Sequence, residues 1–422
     1  DAPVPATVTV TYRVYANELT VRTNHLDQTH GYFNGAALFF YLPGFEQVPI
    51  TLTIVPPYPH WRVTTPLARA LSHPPVSSAH TFYAPDFDTL VDSPVEIGTH
   101  TLLQFEVLGK PHELAIYGKG NLDPSQVITD ISRVIETEAE LFGGLPYDRY
   151  VFLLHLSSQG NGGLEHKYAC SLNYPRFNFR AADKYNRFLQ LVAHEFFHLW
   201  NVKRIRPKAL ETFNYDEENY TPSLWFSEGT TSYYDGVMPY RAGIYDVVTL
   251  IQHFSKEITR YQTTIGRLVQ PLSESSFDAW IKLYRQDANS PNSQMSYYLK
   301  GEMVSLLLDL LIRQRHHNQR SLDDVMRRMW EQFGQPEVGF TPEDLQMTIE
   351  AVAETDLSDF FCHYVQGLTE LPFNQYLAPF GLCLDAEDVT NHPPYLGVSL
   401  RPEHDRLIIR VVEAGSPAER AG

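Results

Sequence analysis

Apolar and polar residues alternate along much of the first 118 residues, which predicts short β-strands. In the stretch ATVTVTYRVY one face is apolar and consists of Val8, Val10, Tyr12 and Val14. The runs ALFFYL, ITLTIV and HTLLQFEVLG are short and apolar, and turn-forming segments such as LPGF and VPPYP separate them. Residues 1–118 are therefore predicted to form an N-terminal antiparallel β domain.

The pattern changes near residue 119, where apolar residues recur every three or four positions. The segment NLDPSQVITDISRVIETEAELFGG predicts a helix with Asp123 as N-cap and Pro124 at the first helical position. Its apolar stripe consists of Val127, Ile131, Val134, Ile135, Leu141 and Phe142. The run DRYVFLLHL predicts a buried strand, in which His155 is interpreted as a packed core histidine. A second helix is predicted through KYNRFLQLVAHEFFHLW and ends before Pro207.

Residues after about 240 are predicted to be mainly helical. The clearest segments are YYLKGEMVSLLLDLLIRQRH, SLDDVMRRMWEQFG and TPEDLQMTIEAVAE, the last with Thr341 as cap and Pro342 next to it. The final stretch, YLGVSLRPEHDRLIIRVVEAGSPAERAG, predicts two short strands and the start of a helix. A segment of this length is too short to enclose a core of its own, so we interpret it as the beginning of a domain. The whole pattern predicts a multidomain α+β protein.

The composition narrows the classes of partner. Hydrophobic residues make up 43% and charged residues 20% of the 422 residues, as in ordinary globular proteins. The net charge of −17 disfavours nucleic acid and anionic membranes as partners. No apolar run approaches the ~20 residues that a membrane span needs. The cysteines, Cys170, Cys362 and Cys383, predict no disulfide framework and favour a cytoplasmic location, with a periplasmic protein that has lost its signal peptide as the alternative.

The stretch LVAHEFFHLWNVKRIRP at 191–207 contains two histidines four residues apart. Residues i and i+4 share one face of a helix, so His194 and His198 can both turn their rings toward one metal ion. Glu195 lies about 100° around the helix, where it can reach a water molecule without being a ligand. The alternative is a chance pattern with two histidines that bond elsewhere.

A third ligand is predicted downstream, in TPSLWFSEGTTSYYDG. Thr221 is a potential cap and Pro222 a potential helix start, so that Glu228 projects from the helix. Two histidines and a glutamate form an established hydrolytic zinc set with a position left for water. The neighbouring Trp225, Phe226, Tyr233 and Tyr234 predict a largely buried helix, in which a carboxylate needs a cation. We therefore predict one Zn²⁺ held by His194, His198 and Glu228.

HEFFHLW followed by WFSEG resembles the gluzincin class of metallopeptidases, typified by aminopeptidase N. The gap from His198 to Glu228 is longer than in aminopeptidase N, and the additional residues are predicted to form a loop near the site. The segments DTLVDSPVEIG, GGLEH, HEFFHLWNVKRIRP, WFSEGTTSYY and YYLKGEM resemble the glycyl aminopeptidase family more closely. The C-terminal stretch resembles the first part of a PDZ domain.

The resemblance implies four domains. Residues 1–118 are the N-terminal β domain and 119–245 are a thermolysin-like catalytic domain with the zinc site. Residues 246–390 form a helical domain, and 391–422 begin a PDZ domain that is incomplete.

The resemblance also implies roles for residues outside the metal set. GNGGLEHKY resembles an edge strand that pairs with substrate backbone, in which Glu165 holds the free α-amine of the substrate. Gly162 and Gly163 would permit close approach of the substrate backbone. SYYLKGEMV resembles the stretch whose tyrosine hydroxyl stabilises the tetrahedral intermediate, and the match falls on Tyr298, with Tyr297 as the alternative.

The predicted function is a zinc aminopeptidase that acts on peptides with a free N-terminus. The resemblance implies a preference for small residues such as glycine or alanine. Glu195 is the predicted general base and Tyr298 a second catalytic residue. The alternatives are a zinc endopeptidase, a catalytically silent peptide-binding protein and hydrolysis of a non-peptide substrate on the same metal.

Overall fold

The structure of the protein is a computed structural model that describes residues 7–70, 79–158, 160–385 and 395–422. The chain divides into two compact units. The first consists of Asp1–Ile128 and Pro146–Phe188, and the second of Thr129–Leu145 and Leu189–Gly422. The four predicted domains stay a prediction.

The first unit contains twelve of the described strands, in three sheets. They are β1 His25–Leu26, β2 His30–Phe33, β3 Ile50–Ile54, β4 Arg62–Thr64, β5 Ala68–Arg69, β6 His80–Ala84, β7 Val95–Gly98, β8 Thr101–Val107, β9 Lys110–Tyr117, β10 Tyr150–Ser157, β11 Gly162–Glu165 and β12 Ala169–Pro175. A four-stranded sheet has the order β1-β2-β7-β4 and a three-stranded sheet the order β3-β6-β5, and all their pairs are antiparallel. The predicted antiparallel β-structure of the N-terminal part is confirmed.

The third sheet of this unit is mixed and has the order β11-β12-β10-β9-β8. Strand β10 lies at its centre and is parallel to both β9 and β12. Because β10 is covered on both faces, nearly all of its side chains are buried, as its continuous apolar run predicts. Strand β11 is the edge strand and pairs with β12 in antiparallel fashion, which leaves its other edge without a partner strand among the described residues.

Two of the predicted N-terminal strands are wrong. The described part of ATVTVTYRVY has no strand, and Val8 and Val10 are exposed. ALFFYL is irregular after a short 3₁₀ turn, and its Phe40 and Leu42 are exposed. Alternation supplies one apolar face, but a strand also needs a hydrogen-bonded neighbour, and neither segment pairs with a strand among the described residues.

The helices follow the predicted segments closely. They are α1 Phe87–Val91, α2 Pro124–Phe142, α3 Ala182–Phe197, α4 Thr231–Arg241, α5 Val247–Thr263, α6 Leu272–Phe277, α7 Ser290–Ser293, α8 Tyr297–Arg315, α9 Leu322–Met329, α10 Pro342–Ala353, α11 Ser358–Phe360, α12 Phe373–Leu377 and α13 Pro417–Ala421. Three π-helical segments span Trp225–Thr230, Trp330–Gly334 and Phe361–Val365. Short 3₁₀ turns span Gly35–Ala37, Lys208–Leu210, Ile265–Leu268 and Ala378–Phe380.

Local signals explain where several helices begin. Asp123 accepts hydrogen bonds from two amides of the first turn of α2, and the predicted apolar stripe of α2 is buried. Thr341 and Asp344 cap each other's backbone at the start of α10. The predicted start at Thr221 and Pro222 is wrong, because these residues lie in a turn before the π-helical segment.

The C-terminal residues form the hairpin of β13 Val398–Glu403 and β14 Arg406–Val412, followed by α13. These elements match the predicted two strands and helix start, and their assignment to a PDZ domain stays a prediction. Residues 1–6 and 391–394 of the predicted terminal elements lie outside the described residues. Among the helices described, none has both the length and the apolar character of a membrane span.

Candidate metal centre

Helix α3 presents both predicted histidines to the same side. The helix is anchored by large buried side chains, including Phe188, Phe196 and Phe197. His194 and His198 lie one turn apart, and their ring centroids are 4.7 Å apart. Because the packed face fixes the rotation of the helix, the two imidazoles are held in place before any ligand binds.

The structure brings Glu228 to these histidines. Its carboxylate Oε2 lies 3.2 Å from Nε2 of His194 and 3.1 Å from Nε2 of His198. Glu228 lies in the π-helical segment Trp225–Thr230, which runs directly into α4. Isolated π-helical turns within a helix are frequent at functional sites. The three predicted ligands therefore converge on one point.

The outer nitrogen of each histidine also has a partner. Nδ1 of His194 lies 2.9 Å from the Asp235 carboxylate, and Nδ1 of His198 lies 2.7 Å from the Asn201 carbonyl. A carbonyl only accepts, so Nδ1 of His198 carries the proton and donates it. Nε2 of His198 then carries a lone pair that faces Glu228. Such outer partners fix the orientation of metal-binding histidines.

The charges of the cluster favour a positive charge beside its carboxylates. Burial raises the pKa of Glu228, but the adjacent His198 and His194 outweigh burial and hold that pKa well below its usual range. Burial lowers the pKa of His194, yet hydrogen bonds with Asp235 and Glu228 raise it overall well above its usual value. The buried carboxylates thus favour a positive charge between the three side chains.

The donor set fits zinc. Two imidazole nitrogens and one carboxylate oxygen lie within 4.8 Å of one another. Ligands about 2.0–2.1 Å from one ion in tetrahedral geometry are about 3.3 Å apart, close to the distances found here. The three residues leave the fourth tetrahedral position for another ligand, as in hydrolytic zinc sites.

Glu195 lies beside His194 on α3 and is 5% exposed. Its carboxylate is close enough to raise the pKa of His194. A buried carboxylate at this position can exchange a proton with a group bound beside it, and the role of Glu195 as general base stays a prediction.

Helix α8 places Tyr298 next to the donor set. The Tyr298 ring stacks on His194 with the centroids 6.3 Å apart, whereas Tyr297 is buried, with 2% of its surface exposed. Helix α8 and the π-helical segment Trp225–Thr230 come into close contact at Gly301 and Gly229. A Cβ atom added to Gly229 would lie only 2.4 Å from Cα of Gly301. Both glycines are therefore required for the packing that brings Tyr298 to the histidines.

The predicted substrate strand is described within the first unit. Gly162, Gly163 and Glu165 all lie on the edge strand β11, and Gly162 has a φ of +155°, which favours glycine. His166 follows the strand and is 3% exposed; its Nδ1 lies 3.2 Å from Asp92, which also accepts a hydrogen bond from the Lys167 amide at 2.7 Å. Asp92 thereby fixes the turn after Glu165. The role of Glu165 toward a substrate stays a prediction.

Asp235, Asn201 and Tyr284 complete the site. Asp235 and Tyr284 were not predicted as part of it from the sequence, whereas the position of Asn201 just after the predicted helix left two roles open, a partner of a metal ligand or a helix cap. Asp235 lies seven residues after Glu228, a spacing that returns to the same side of a helix and could have indicated it. The side chain of Asn201 donates to the Phe226 carbonyl at 2.9 Å, which ties the end of α3 to the Glu228 segment. The Tyr284 hydroxyl lies 3.2 Å from that of Tyr298, a contact between segments that no local pattern indicates.

Comparisons with known proteins agree with this geometry. The sequence profile of the family described as M61 glycyl aminopeptidase matches residues 187–304, which include the donor set, Glu195 and Tyr298. The profile of the peptidase M61 N-terminal domain matches residues 2–99. A comparison with curated proteins found no match.

Among solved structures, the chain is similar to the crystal structure of an aminopeptidase N family protein from Idiomarina loihiensis. The TM-score is 0.89 and the sequence identity 32%, and the match covers 97% of this chain and 73% of that one. The similarity therefore extends over both units. The chain belongs to the M61 glycyl aminopeptidase family of peptidases.

Proposed function

We propose that this protein is a zinc-dependent aminopeptidase that removes small N-terminal residues, glycine or alanine, from peptides. The observation that carries the proposal is the convergence of His194, His198 and Glu228, with both outer histidine nitrogens already held by Asp235 and Asn201. Membership of a peptidase family supports a peptide as substrate.

His194, His198 and Glu228 would hold the metal. When bound there, zinc lowers the pKa of water toward neutrality and polarises the scissile carbonyl. Asp235 and the Asn201 carbonyl keep the two rings in the tautomer that presents Nε2 inward. The preorganised rings need no reorganisation when substrate arrives.

Glu195 acts as the general base and then the general acid. It accepts a proton from the attacking water and passes it to the leaving amine as the peptide bond breaks. Its low exposure excludes competing solvent around the carboxylate. Glu195 differs from Glu228 in position, because the Glu228 carboxylate lies 3.2 and 3.1 Å from the two histidine Nε2 atoms, at the point where the three proposed ligands meet.

Tyr298 donates a hydrogen bond to the oxyanion that develops on the carbonyl. Burial raises the pKa of its phenol well above the usual value, and the negative charge of Glu228 acts in the same direction, so the hydroxyl stays protonated and able to donate. Its ring stacks on His194, which keeps the hydroxyl close to the donor set.

Glu165 is the proposed anchor for the substrate's free amine, and Gly162 and Gly163 the proposed backbone contacts. The edge of β11 that has no partner strand among the described residues offers amide and carbonyl groups to an extended peptide. An anchor for the terminal amine at one fixed distance from the reacting carbonyl selects cleavage of the first peptide bond.

The proposal is tested with zinc-loaded protein and a peptide mixture in which each peptide has either a free or an acetylated N-terminus. We expect mass spectrometry to show loss of single residues, with Gly and Ala first, from the free peptides only. Internal cleavage of both sets would make the protein an endopeptidase and contradict the role of Glu165. Absence of any cleavage with zinc bound would favour a peptide-binding protein.

A further inference from the structure

Large apolar side chains are exposed on one face of residues 277–284 in the second unit. Phe277, Trp280, Ile281 and Tyr284 are between 44% and 58% exposed. Their spacing of three, four and seven residues puts them on one side of the helical turns that continue α6. Single exposed apolar residues are ordinary, but a contiguous group marks an interaction site.

The other side of this segment is firmly anchored. Leu272, Ser275, Ser276 and Ala279 are buried. The Ser276 hydroxyl accepts a hydrogen bond from the Trp225 amide at 3.0 Å, at the start of the π-helical segment that carries Glu228. The segment is thus held against the candidate metal centre on one side, while its aromatic side chains are exposed on the other.

The far end of the face is extended by Tyr220. Its ring stacks on Phe277 with the centroids 5.1 Å apart, and Trp280 donates through Nε1 to the Asn219 carbonyl at 3.3 Å. Tyr220, Phe277, Trp280, Ile281 and Tyr284 are called the aromatic shelf below.

The near end of the shelf reaches the proposed catalytic residues. The Tyr284 hydroxyl lies 3.2 Å from that of Tyr298 and 3.3 Å from that of Tyr297. The shelf therefore starts where Tyr298 meets the developing oxyanion. From Phe277 to Tyr284 the helical turns span roughly 10 Å, the length of about three extended peptide residues.

We propose that the aromatic shelf binds apolar side chains of the substrate that follow the scissile bond. This inference rests on the proposed function, because an aminopeptidase has one residue on the amino side of that bond. A glycine or alanine there cannot cover an aromatic surface of this length. The residues after the cleaved bond are the part of a peptide substrate that remains to cover it, and aromatic or aliphatic side chains fit its chemistry.

The test compares Gly-Phe-Leu-Phe-amide with Gly-Ser-Gly-Ser-amide as substrates. We expect the wild-type protein to cleave the apolar peptide with a kcat/KM about tenfold higher or more, an effect within the range of hydrophobic discrimination by enzymes. Trp280→Ala should reduce this preference about tenfold, and Trp280→Phe should retain most of it. Met347→Ala removes another exposed apolar side chain, on α10, and should leave the preference unchanged.

Binding to the zinc-loaded Glu195→Gln protein separates failure of the shelf from failure of the proposed function. If that protein binds the apolar peptide more tightly than the polar one and Trp280→Ala abolishes the difference, the shelf is supported even without cleavage. Equal preference in Trp280→Ala and wild type, in both cleavage and binding, would overturn the proposal. Loss of self-association in Trp280→Ala with unchanged peptide preference would assign the shelf to a second copy and would also overturn it.

Discussion

Among the described residues, two clusters each contain two histidines and one glutamate, and their geometry differs. In the second unit, Nε2 of His194 and His198 lie 3.2 and 3.1 Å from Glu228. In the first unit, Nε2 of His30 lies 2.5 Å and Nε2 of His155 2.9 Å from Glu96. All four distances are in the range of charged or hydrogen-bonded contacts, and the first pair also matches the separation of ligands around one ion.

The two clusters also differ in the hydrogen-bond partners of the outer ring nitrogens, the Nδ1 atoms. Those of His194 and His198 are held by Asp235 and by the Asn201 carbonyl, while Nδ1 of His30 and of His155 are buried without a hydrogen-bond partner among the described residues. The His30 cluster is also closed, since its side chains are at most 1% exposed. We interpret the His30, Glu96 and His155 cluster as a buried electrostatic contact that stabilises the fold, and call it the electrostatic lock below. The outer partners, rather than the residue types that the two clusters share, therefore favour the His194 cluster as the metal site.

The largest expected effect is loss of metal. His198→Ala removes one of three ligands, so we expect zinc content to fall from about one per chain toward zero and kcat/KM to fall by roughly a thousandfold or more. The matched change in the other cluster, His155→Gln, should leave the zinc content unchanged. Elemental analysis of dialysed proteins measures both, and equal zinc loss in the two variants would contradict the distinction.

The second effect is on stability. Glu96→Ala leaves buried His30 and His155 without the carboxylate that they face, and a buried polar group left without its partner costs about 1–3 kcal/mol. As a control, Asp148→Ala removes the fully exposed partner of Lys110 in the same unit. Thermal unfolding should show a large drop in Tm for Glu96→Ala and little change for Asp148→Ala. Equal melting temperatures would mean that the Glu96 cluster does not act as a lock.

The sequence predicts the convergence of His194, His198 and Glu228 better than it predicts the N-terminal strands, and the reason is physical. His194 and His198 share a helix, so their proximity follows from a local period of 3.6 residues. Glu228 could be placed because burial of a carboxylate among aromatic residues requires a cation. The apolar face of Val8 and Val10 depends instead on a pairing strand elsewhere in the chain, which no local period encodes.

Contacts between distant segments were missed for the same reason. Glu96 meets His155 across 59 positions, and Asp235 meets His194 across 41. His155 is buried as predicted, but its bond to Glu96 depends on how β7 and β10 come together. The π-helical geometry of Trp225–Thr230 also displaced the predicted helix start at Thr221.

A smaller effect is expected from the outer partner of His194. Asp235→Asn keeps the side-chain shape but removes the charge that fixes the His194 ring, and such changes typically weaken metal affinity about 10–100-fold. Competition with a chelator of known affinity measures the change. Asp323→Asn, whose carboxylate binds Arg241 at 2.9 Å, is the control and should keep its zinc affinity. An unchanged affinity in Asp235→Asn would show that the outer partner does not distinguish the two clusters.

The smallest effect concerns the pH dependence of the lock. Burial raises the pKa of Glu96, but His155 and His30 outweigh burial and lower it from 4.5 to about 2. A carboxyl group with a lowered folded pKa contributes stability that is present above about pH 4.5 and is lost as the pH falls toward 2. The isosteric variant Glu96→Gln lacks this contribution, so its Tm should approach that of the wild type between pH 4.5 and 2.

The other groups that face Glu96 are His30, His155 and His100, and burial lowers the pKa of His100 to about 4 and also lowers that of His30. His30 and His100 therefore remain neutral in the folded protein at pH 7. Both the wild type and Glu96→Gln lose folding stability from this source as the pH falls below 6.5. A constant difference in Tm from pH 4.5 to 2 would show that Glu96 is not ionised in the folded protein, and the electrostatic lock would then have to be a neutral hydrogen-bonded cluster.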